Sequence, residues 1–180
     1  RKGLGVILYL TALLFGAYRE YANETDYTYI SSWVQDEKTH YLWCAERFAY
    51  PLKQEDFNNV LDEAARDFKA IAYVVTDDKD SRLGFFVCSI NENDKSAFIS
   101  FVILNSNLRG KGYGTKMMQF ISEYFLSDKK VSLLRLKVFD VNISAQKCYE
   151  RAGFVLERKE TNALEFKGEK WGRNTMIKTI

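Results

Sequence analysis

The sequence is poor in the residues that build metal centres and disulfide frameworks. Its 180 residues include one histidine and three cysteines, Cys44, Cys88 and Cys148, which are far apart in the chain. Their spacing matches no zinc motif, and an odd number of cysteines cannot pair completely. We therefore predict no metal site and no disulfide, and we interpret the cysteines as reduced apolar residues of a cytoplasmic protein.

An excess of charge of one sign is also lacking. The 26 lysines and arginines face 24 aspartates and glutamates, which gives a formal net charge of +2, and the two signs are interspersed. A nucleic-acid surface needs a concentrated basic stripe, so no nucleic-acid partner is predicted. With a single proline and no low-complexity segment, a chain of this length is expected to form one compact domain.

The start of the chain resembles a signal peptide, because Arg1 and Lys2 precede an uncharged stretch from Gly3 to Tyr18. That stretch is shorter than the roughly 20 residues that a membrane-spanning helix needs, and no A-x-A cleavage site follows it. We expect residues 1–16 to be an apolar extension packed on the domain or on a partner, and residues 17–180 to be the single domain. A start-site artefact and a membrane anchor are the less favoured alternatives.

The hydrophobic pattern predicts an α/β domain. A short strand near residue 18 precedes three helical segments, with Thr25 as a candidate N-cap of the first and the others over 36–48 and 53–68. The following elements are strands over 70–76, 83–90 and 97–104, a helix over 112–127, a strand over 131–139, a helix over 142–152, and two last strands around a turn at 167–172. Short loops make the three central strands an antiparallel meander, and the helical crossover makes the strands at 97–104 and 131–139 parallel.

The segment "RGKGYG" at 109–114 joins a strand to a helix. Unpaired backbone N–H groups and the helix dipole favour an anion at such a point, and three glycines let the backbone approach a phosphate without obstruction. Arg109 and Lys111 add positive charge. The spacing fits neither a P-loop nor a dinucleotide fingerprint, and a tight turn with solvated cations is the alternative interpretation.

Two motifs together resemble the GNAT superfamily of acyl-CoA-dependent N-acyltransferases. The pattern Gln/Arg-x-x-Gly-x-Gly/Ala is matched by Arg109, Gly112 and Gly114. The pattern Asn-x-x-Ala-x-x-x-Tyr-x-x-x-Gly-Phe is matched by Asn142, Ala145, Tyr149, Gly153 and Phe154. The resemblance covers roughly residues 17–180, and "DYTYISSWV" and "KGEKWGRNTM" look most like the ribosomal-protein N-terminal acetyltransferase branch. It implies a mixed, mostly antiparallel sheet with splayed parallel central strands, flanked by helices.

The same resemblance implies a site for acetyl-CoA as cosubstrate, without a metal. Pantetheine would pair with the backbone of Val102, Ile103 and Leu104. Asn142 would bind the cosubstrate on its pantetheine side. The pyrophosphate would lie on the loop and helix start, formed by Arg109, Gly110, Lys111, Gly112, Tyr113, Gly114 and Thr115. Tyr149 would stand near the thioester sulfur as the acid for the leaving thiolate, with a core-packing tyrosine as the alternative.

The general base and the acceptor pocket are less well specified. Many relatives carry a glutamate on the strand before the loop, where this chain offers only Ser100. Ordered water or a distant carboxylate could replace it, the carboxylate candidates being Glu37, Glu46 and Glu165. His40 and Cys148 are not predicted to be catalytic. Trp33, Trp43 and Tyr50 could form a wall of the acceptor pocket, although aromatic residues at helical spacing usually pack in a core.

The resemblance implies transfer of an acetyl group from acetyl-CoA to a primary amine, a protein N-terminus or a small molecule, by direct attack on the thioester. An aminoglycoside, a polyamine or an amino-acid derivative is the alternative acceptor, and a non-catalytic acyl-CoA-binding module is the alternative function. A homodimer is compatible with the sequence, which fixes neither the acceptor, the acyl chain length nor the oligomeric state.

Overall fold

A computed structural model of the protein describes residues 15–127 and 131–180, so the rest of the predicted apolar extension, residues 1–14, lies outside the described residues. The strands are β1 (Ala17–Glu20), β2 (Ile71–Thr76), β3 (Arg82–Asn91), β4 (Ser96–Leu104), β5 (Leu133–Phe139), β6 (Val155–Phe166) and β7 (Glu169–Thr179). The helices are α1 (Asn23–Ser32), α2 (Glu37–Cys44), α3 (Gln54–Phe68), α4 (Tyr113–Ser127) and α5 (Ile143–Arg151). No helix among these is long and apolar enough to cross a membrane.

The strands form one seven-stranded sheet in the order β1-β2-β3-β4-β5-β7-β6. Every neighbouring pair is antiparallel except β4 and β5, which are parallel and are joined through α4. The predicted mixed, mostly antiparallel sheet flanked by helices is confirmed. The parallel pair sits in the middle because a strand–helix–strand crossover returns the chain in the same direction.

The parallel strands separate halfway along their length. Their paired residues run only from Ser96 with Leu133 to Ile99 with Leu136, while β4 continues to Leu104 paired with β3 alone. A shift in the β3–β4 register marks a β-bulge at this point, and Phe101 adopts a positive φ of 50°. A bulge bends and twists its strand, so β4 turns away from β5 where their pairing ends. The predicted splay is therefore present.

Helices cover the two faces of the sheet unequally. On one face, α4 and α5 bury a cluster that includes Met118 and Ile121 against Leu134 and Leu136. On the other face, α1, α2 and α3 bury an aromatic-rich cluster over β2, β3 and β4. A small cluster around Trp171 joins α2 to the ends of β5, β6 and β7. Among the described residues, the helices of that face therefore contact β5–β7 mainly through this cluster.

The start of α1 differs from prediction. Thr25 is not the N-cap of α1; Ala22 occupies that position, and its backbone N–H donates to Asp26 at 2.8 Å. Phe15 is buried and stacks on Phe120, with 6.1 Å between the ring centroids. Gly16 N–H donates to the Thr76 carbonyl at 2.8 Å. Phe15 and Gly16, the two described residues of the expected extension, thus pack on the domain.

A buried carboxylate fastens α1 to the sheet. Asp26 is fully buried and accepts from Arg19 at 2.7 and 2.9 Å and from Arg82 Nε at 3.1 Å. Burial opposes ionisation of Asp26, but the hydrogen bonds from Arg19, Ala22 N–H and Arg82 outweigh it and lower its pKa to about 2. The carboxylate is therefore charged at neutral pH and holds the first helix on β1 and β3.

Candidate active site

A cavity of about 470 Å³ lies between the splayed ends of β4 and β5. Residues 99–104 of β4 and 136–138 of β5 form its sides, and the glycine loop, the start of α5 and one side of α2 complete the wall. The splay produces this space because, within the described parts of the chain, the backbone of β4 after Ile99 pairs with no strand on the β5 side. Ten of the predicted site residues lie on the wall: Val102, Ile103, Leu104, Arg109, Gly110, Gly112, Gly114, Thr115, Asn142 and Tyr149.

The three glycines of the loop have two different roles. Gly110 and Gly112 have φ values of +75° and +80°, a conformation that side chains disfavour, and a Cβ at either would meet no atom of the described residues within 4 Å. The backbone of the loop is therefore unobstructed at the start of α4. A Cβ at Gly114 would instead lie 3.2 Å from Cys148 Sγ. Gly114 thus allows α4 to approach α5 closely.

The two cations of the loop bind the protein's own backbone. Arg109 is half-buried and its Nη2 donates to the Trp33 carbonyl at 2.6 Å and to the Leu104 carbonyl at 3.1 Å. It therefore ties the end of α1 to the end of β4 beside the cavity. Lys111 Nζ donates to the Asn107 carbonyl at 3.0 Å. Neither Lys111 nor Tyr113 lies on the cavity wall.

The second motif lies on the opposite wall. Asn142 caps α5, because its Oδ1 accepts from Ala145 N–H at 3.2 Å. Among the described residues, its Nδ2 donates no hydrogen bond. Tyr149 follows two turns later and is only 8% exposed, although it lines the cavity. Burial raises the pKa of Tyr149, and the nearby Cys148 adds to the shift. The hydroxyl is therefore protonated at neutral pH.

The candidates for the general base are mostly elsewhere. Ser100 lines the cavity, whereas Glu46 and Glu165 do not, and Glu37 pairs with Lys167 at 2.5 Å. Within residues 15–127 and 131–180, no aspartate or glutamate lies on the cavity wall. Of the two routes considered from sequence, the three carboxylate candidates lie away from the cavity wall, and ordered water stays a prediction.

One face of α2 supplies a wall that sequence reasoning only partly identified. Thr39, Leu42 and Trp43 line the cavity, and Trp43 also stacks on Phe48 with 5.3 Å between centroids. Trp33 is instead buried in the core. Thr39 and Leu42 could have been found from Trp43, since i, i+3 and i+4 share one helix face. Lys137 on β5 is a further lining residue that was missed, and strand alternation alone gave no reason to select it.

The histidine and cysteines have structural surroundings. His40 is buried and its Nε2 lies 2.9 Å from the Phe48 carbonyl. Burial raises the pKa of the Cys148 thiol, which disfavours the thiolate that a nucleophile would need. Among the described residues, no group of three or more histidine, cysteine, aspartate or glutamate side chains could hold a metal ion. The absence of a metal stays a prediction.

Comparison with known proteins identifies relatives of this arrangement. A family model described as "Acetyltransferase (GNAT) family" matches residues 27–154. An aminoglycoside N(6')-acetyltransferase type 1 of Klebsiella pneumoniae is 35% identical over 63 residues, which cover 35% of this chain and 30% of that protein. A kanamycin resistance protein of Rhizobium radiobacter is 36% identical over 59 residues, which cover 33% of this chain and 53% of that protein. The matched segments thus span a third to about half of these relatives.

Among solved structures, a spermidine N-acetyltransferase from Vibrio cholerae in complex with CoA and spermine superposes with a TM-score of 0.74. The superposition covers 91% of this chain and 94% of that chain at 19% sequence identity. At this identity the similarity establishes the fold.

Proposed function

The chain belongs to the acetyltransferase (GNAT) family, and on that premise we propose that it transfers an acetyl group from acetyl-CoA to a primary amine. The observation that carries the proposal is the unpaired edge of β4 from Ser100 to Leu104, next to the unobstructed glycine loop. An open strand edge can hydrogen-bond an extended amide-containing chain as a further strand would. Backbone N–H groups at a helix N-terminus can bind phosphates.

The residues present fit CoA. Leu104 already uses its carbonyl to accept from Arg109, so Val102 and Ile103 provide the main-chain groups for pantetheine. A Cβ would enter open space at both Gly110 and Gly112, which suits a loop that holds pyrophosphate. The uncommitted Nδ2 of Asn142 would donate to the pantetheine side. Bound acetyl-CoA supplies an activated acyl group as a thioester.

Groups of the protein would polarise the thioester carbonyl and carry out the proton transfers. A backbone N–H of Ile103 or Leu104 would polarise the carbonyl under attack, and the protonated Tyr149 hydroxyl would deliver its proton to the departing sulfur. Water beside Ser100 would accept the proton of the amine. An α-amino group has a reference pKa of about 7.7 to 8.0, so a weak base suffices for it.

The finer assignments are also proposals. The acceptor would be a protein N-terminus, as in the ribosomal-protein branch, or a small-molecule amine. The named relatives, which are aminoglycoside and spermidine acetyltransferases, support the small-molecule class as the alternative. A cytoplasmic location and a homodimer belong to the same proposal.

The test is acceptor-dependent thiol release. The purified protein is incubated with acetyl-CoA and a panel of N-terminal peptides, spermidine and kanamycin, and acetylated amines are identified by mass spectrometry. We expect thiol release to rise with at least one amine. Calorimetric binding of CoA without any acetylated product would favour the non-catalytic acyl-CoA-binding module and overturn the proposal.

A further inference from the structure

The cavity is lined from both faces of the sheet. Gly110, Gly112 and Asn142 form the end next to α4 and α5, which we call the donor end. Leu136 and Val138 are buried on the face that carries α4 and α5. Because side chains alternate along a strand, Lys137 points to the opposite face, where α2 lies. Thr39, Trp43 and Lys137 therefore form a second end, which we call the acceptor end.

Positive charge dominates the sheet face around the acceptor end. In the strand register, Lys137 on β5 lies opposite Thr175 on β7, and Thr175 lies opposite Arg158 on β6. The two cations are therefore on the same face of the sheet, on either side of Thr175. On the same face, Arg135 pairs with Glu157 and Arg173 pairs with Glu160, each at 2.9 Å. Among the described residues, neither Lys137 nor Arg158 has a carboxylate oxygen within 4.0 Å.

The surroundings of Lys137 favour a counter-ion. Its Nζ lies 6.0 Å from the centroid of the Phe98 ring, on the face of the sheet opposite α4 and α5. Partial burial lowers the pKa of Lys137, and Arg173 and Arg158 lower it further against the opposing effect of Glu160. A bound anion would offset both the partial loss of water and the repulsion from the two arginines.

We infer that the acceptor end selects a primary amine that carries a carboxylate a few bonds from the reacting nitrogen, with Lys137 as the selecting residue. The inference rests on the proposed acetyl transfer. A polycation such as a polyamine or an aminoglycoside would bring further positive charge to Lys137, and no carboxylate of the described cavity wall would offset it. The carboxylate could belong to an acidic residue of a peptide or to a free amino acid.

The test uses three peptides that share an N-terminal serine and an amidated C-terminus and differ only at the second residue, which is glutamate, glutamine or lysine. Free glutamate, spermidine and kanamycin complete the panel, and free glutamate separates the two sources of the carboxylate. We expect kcat/KM to fall about tenfold from the glutamate to the glutamine peptide and further for the lysine peptide. Lys137→Gln should abolish the preference for glutamate over glutamine, and Lys137→Glu should reverse the order.

Lys159→Glu is the matched control. Lys159 is exposed on β6 and neighbours Arg158, so its side chain points to the opposite face of the same strand. This variant makes the same change in net charge and should keep the order of the peptides. A loss of order in Lys159→Glu as large as in Lys137→Glu would overturn the role of Lys137.

Failure of this inference and failure of acetyl transfer have different signatures. Preferred turnover of spermidine or kanamycin would overturn the carboxylate preference and leave acetyl transfer intact. If no amine promotes thiol release, the proposal of acetyl transfer fails. Calorimetry of the peptides with the CoA-loaded protein then tests whether the acceptor end prefers a carboxylate. Tighter binding of the glutamate peptide would support the inference, and equal or weaker binding would overturn it.

Discussion

The two ends of the cavity differ in whether backbone or side chains form them. Backbone forms most of the donor end, through the unpaired edge of β4 and the loop at 109–114. Side chains form the acceptor end, mainly Thr39, Trp43 and Lys137. Backbone geometry depends on glycine conformation and strand pairing, whereas side chains can change without altering the fold. We therefore expect donor-end variants to weaken CoA binding and acceptor-end variants to change the choice of amine.

The largest effect is expected from Tyr149, which lines the cavity. Tyr149→Phe keeps the ring and removes the hydroxyl that we propose as the acid. We expect kcat to fall by roughly 10² to 10⁴, the usual range for one positioned acid or base, while the affinity for CoA changes little. Steady-state kinetics and calorimetry provide the two values. A wild-type kcat in this variant would return Tyr149 to a packing role.

The next effect concerns the buried carboxylate that holds α1 on the sheet, away from both ends of the cavity, since Asp26 does not line the cavity wall. Asp26→Asn leaves Arg19 and Arg82 without their buried partner, and we expect the free energy of unfolding to fall by roughly 3 kcal/mol. Asp67→Asn, which removes an exposed ion pair with Arg66, should cost about 1 kcal/mol or less. Denaturant unfolding at neutral pH measures both, and equal losses would refute the distinction.

The same carboxylate predicts a pH dependence of stability. Its folded-state pKa is lowered from 3.8 to about 2, so its contribution is complete above the unfolded pKa and is lost as the pH falls through the folded value. Wild-type stability should therefore decline between about pH 4 and pH 2 more steeply than that of Asp26→Asn. Parallel acid-unfolding curves for the two proteins would contradict this assignment.

A smaller effect is expected from the backbone of the donor end. Gly112→Val adds a side chain to a position with φ of +80°, in the open space proposed for phosphate, and should weaken CoA binding by roughly tenfold or more. Gly168 is a matched control, because it has φ of +83°, also has no atom near its missing Cβ, and lies in the β6–β7 turn. Gly168→Val should carry a similar backbone strain without changing CoA affinity. Unchanged CoA affinity in a folded Gly112→Val protein would contradict the proposal that the loop at 109–114 binds the pyrophosphate.

The smallest effect concerns Arg109, whose guanidinium holds the carbonyls of Trp33 and Leu104. If it acts by positioning β4, Arg109→Lys and Arg109→Gln should weaken CoA binding similarly, by about threefold, since neither can form the same fork of hydrogen bonds. Calorimetry of CoA binding to both variants distinguishes positioning of β4 from direct attraction between the Arg109 charge and the phosphates. Retention of affinity in the lysine variant alone would assign Arg109 to the phosphate.

Local patterns were enough to predict most of the fold and the donor end. The two motifs predicted the strand, loop and helix around Gly112 and the position of Tyr149 on the helix that follows, because glycine conformation and helical spacing act over a few residues. The cap that Asn142 forms on this helix was not predicted. The same patterns missed that Gly114 serves helix packing and that Arg109 binds backbone carbonyls. Both contacts join distant segments, as Cys148 and Trp33 lie far from the loop in sequence.

The sequence by itself determined the order of the elements, the parallel pair and the glycine loop, because hydrophobic period and turn chemistry are local properties. Only the tertiary structure decided where β4 and β5 part, since a bulge at Phe101 and the register with β3 set that point. It also decided the charge of the acceptor end. Thr39 and Lys137 are almost a hundred residues apart in the chain. The packing of α2 against the ends of β5, β6 and β7 brings them to one cavity.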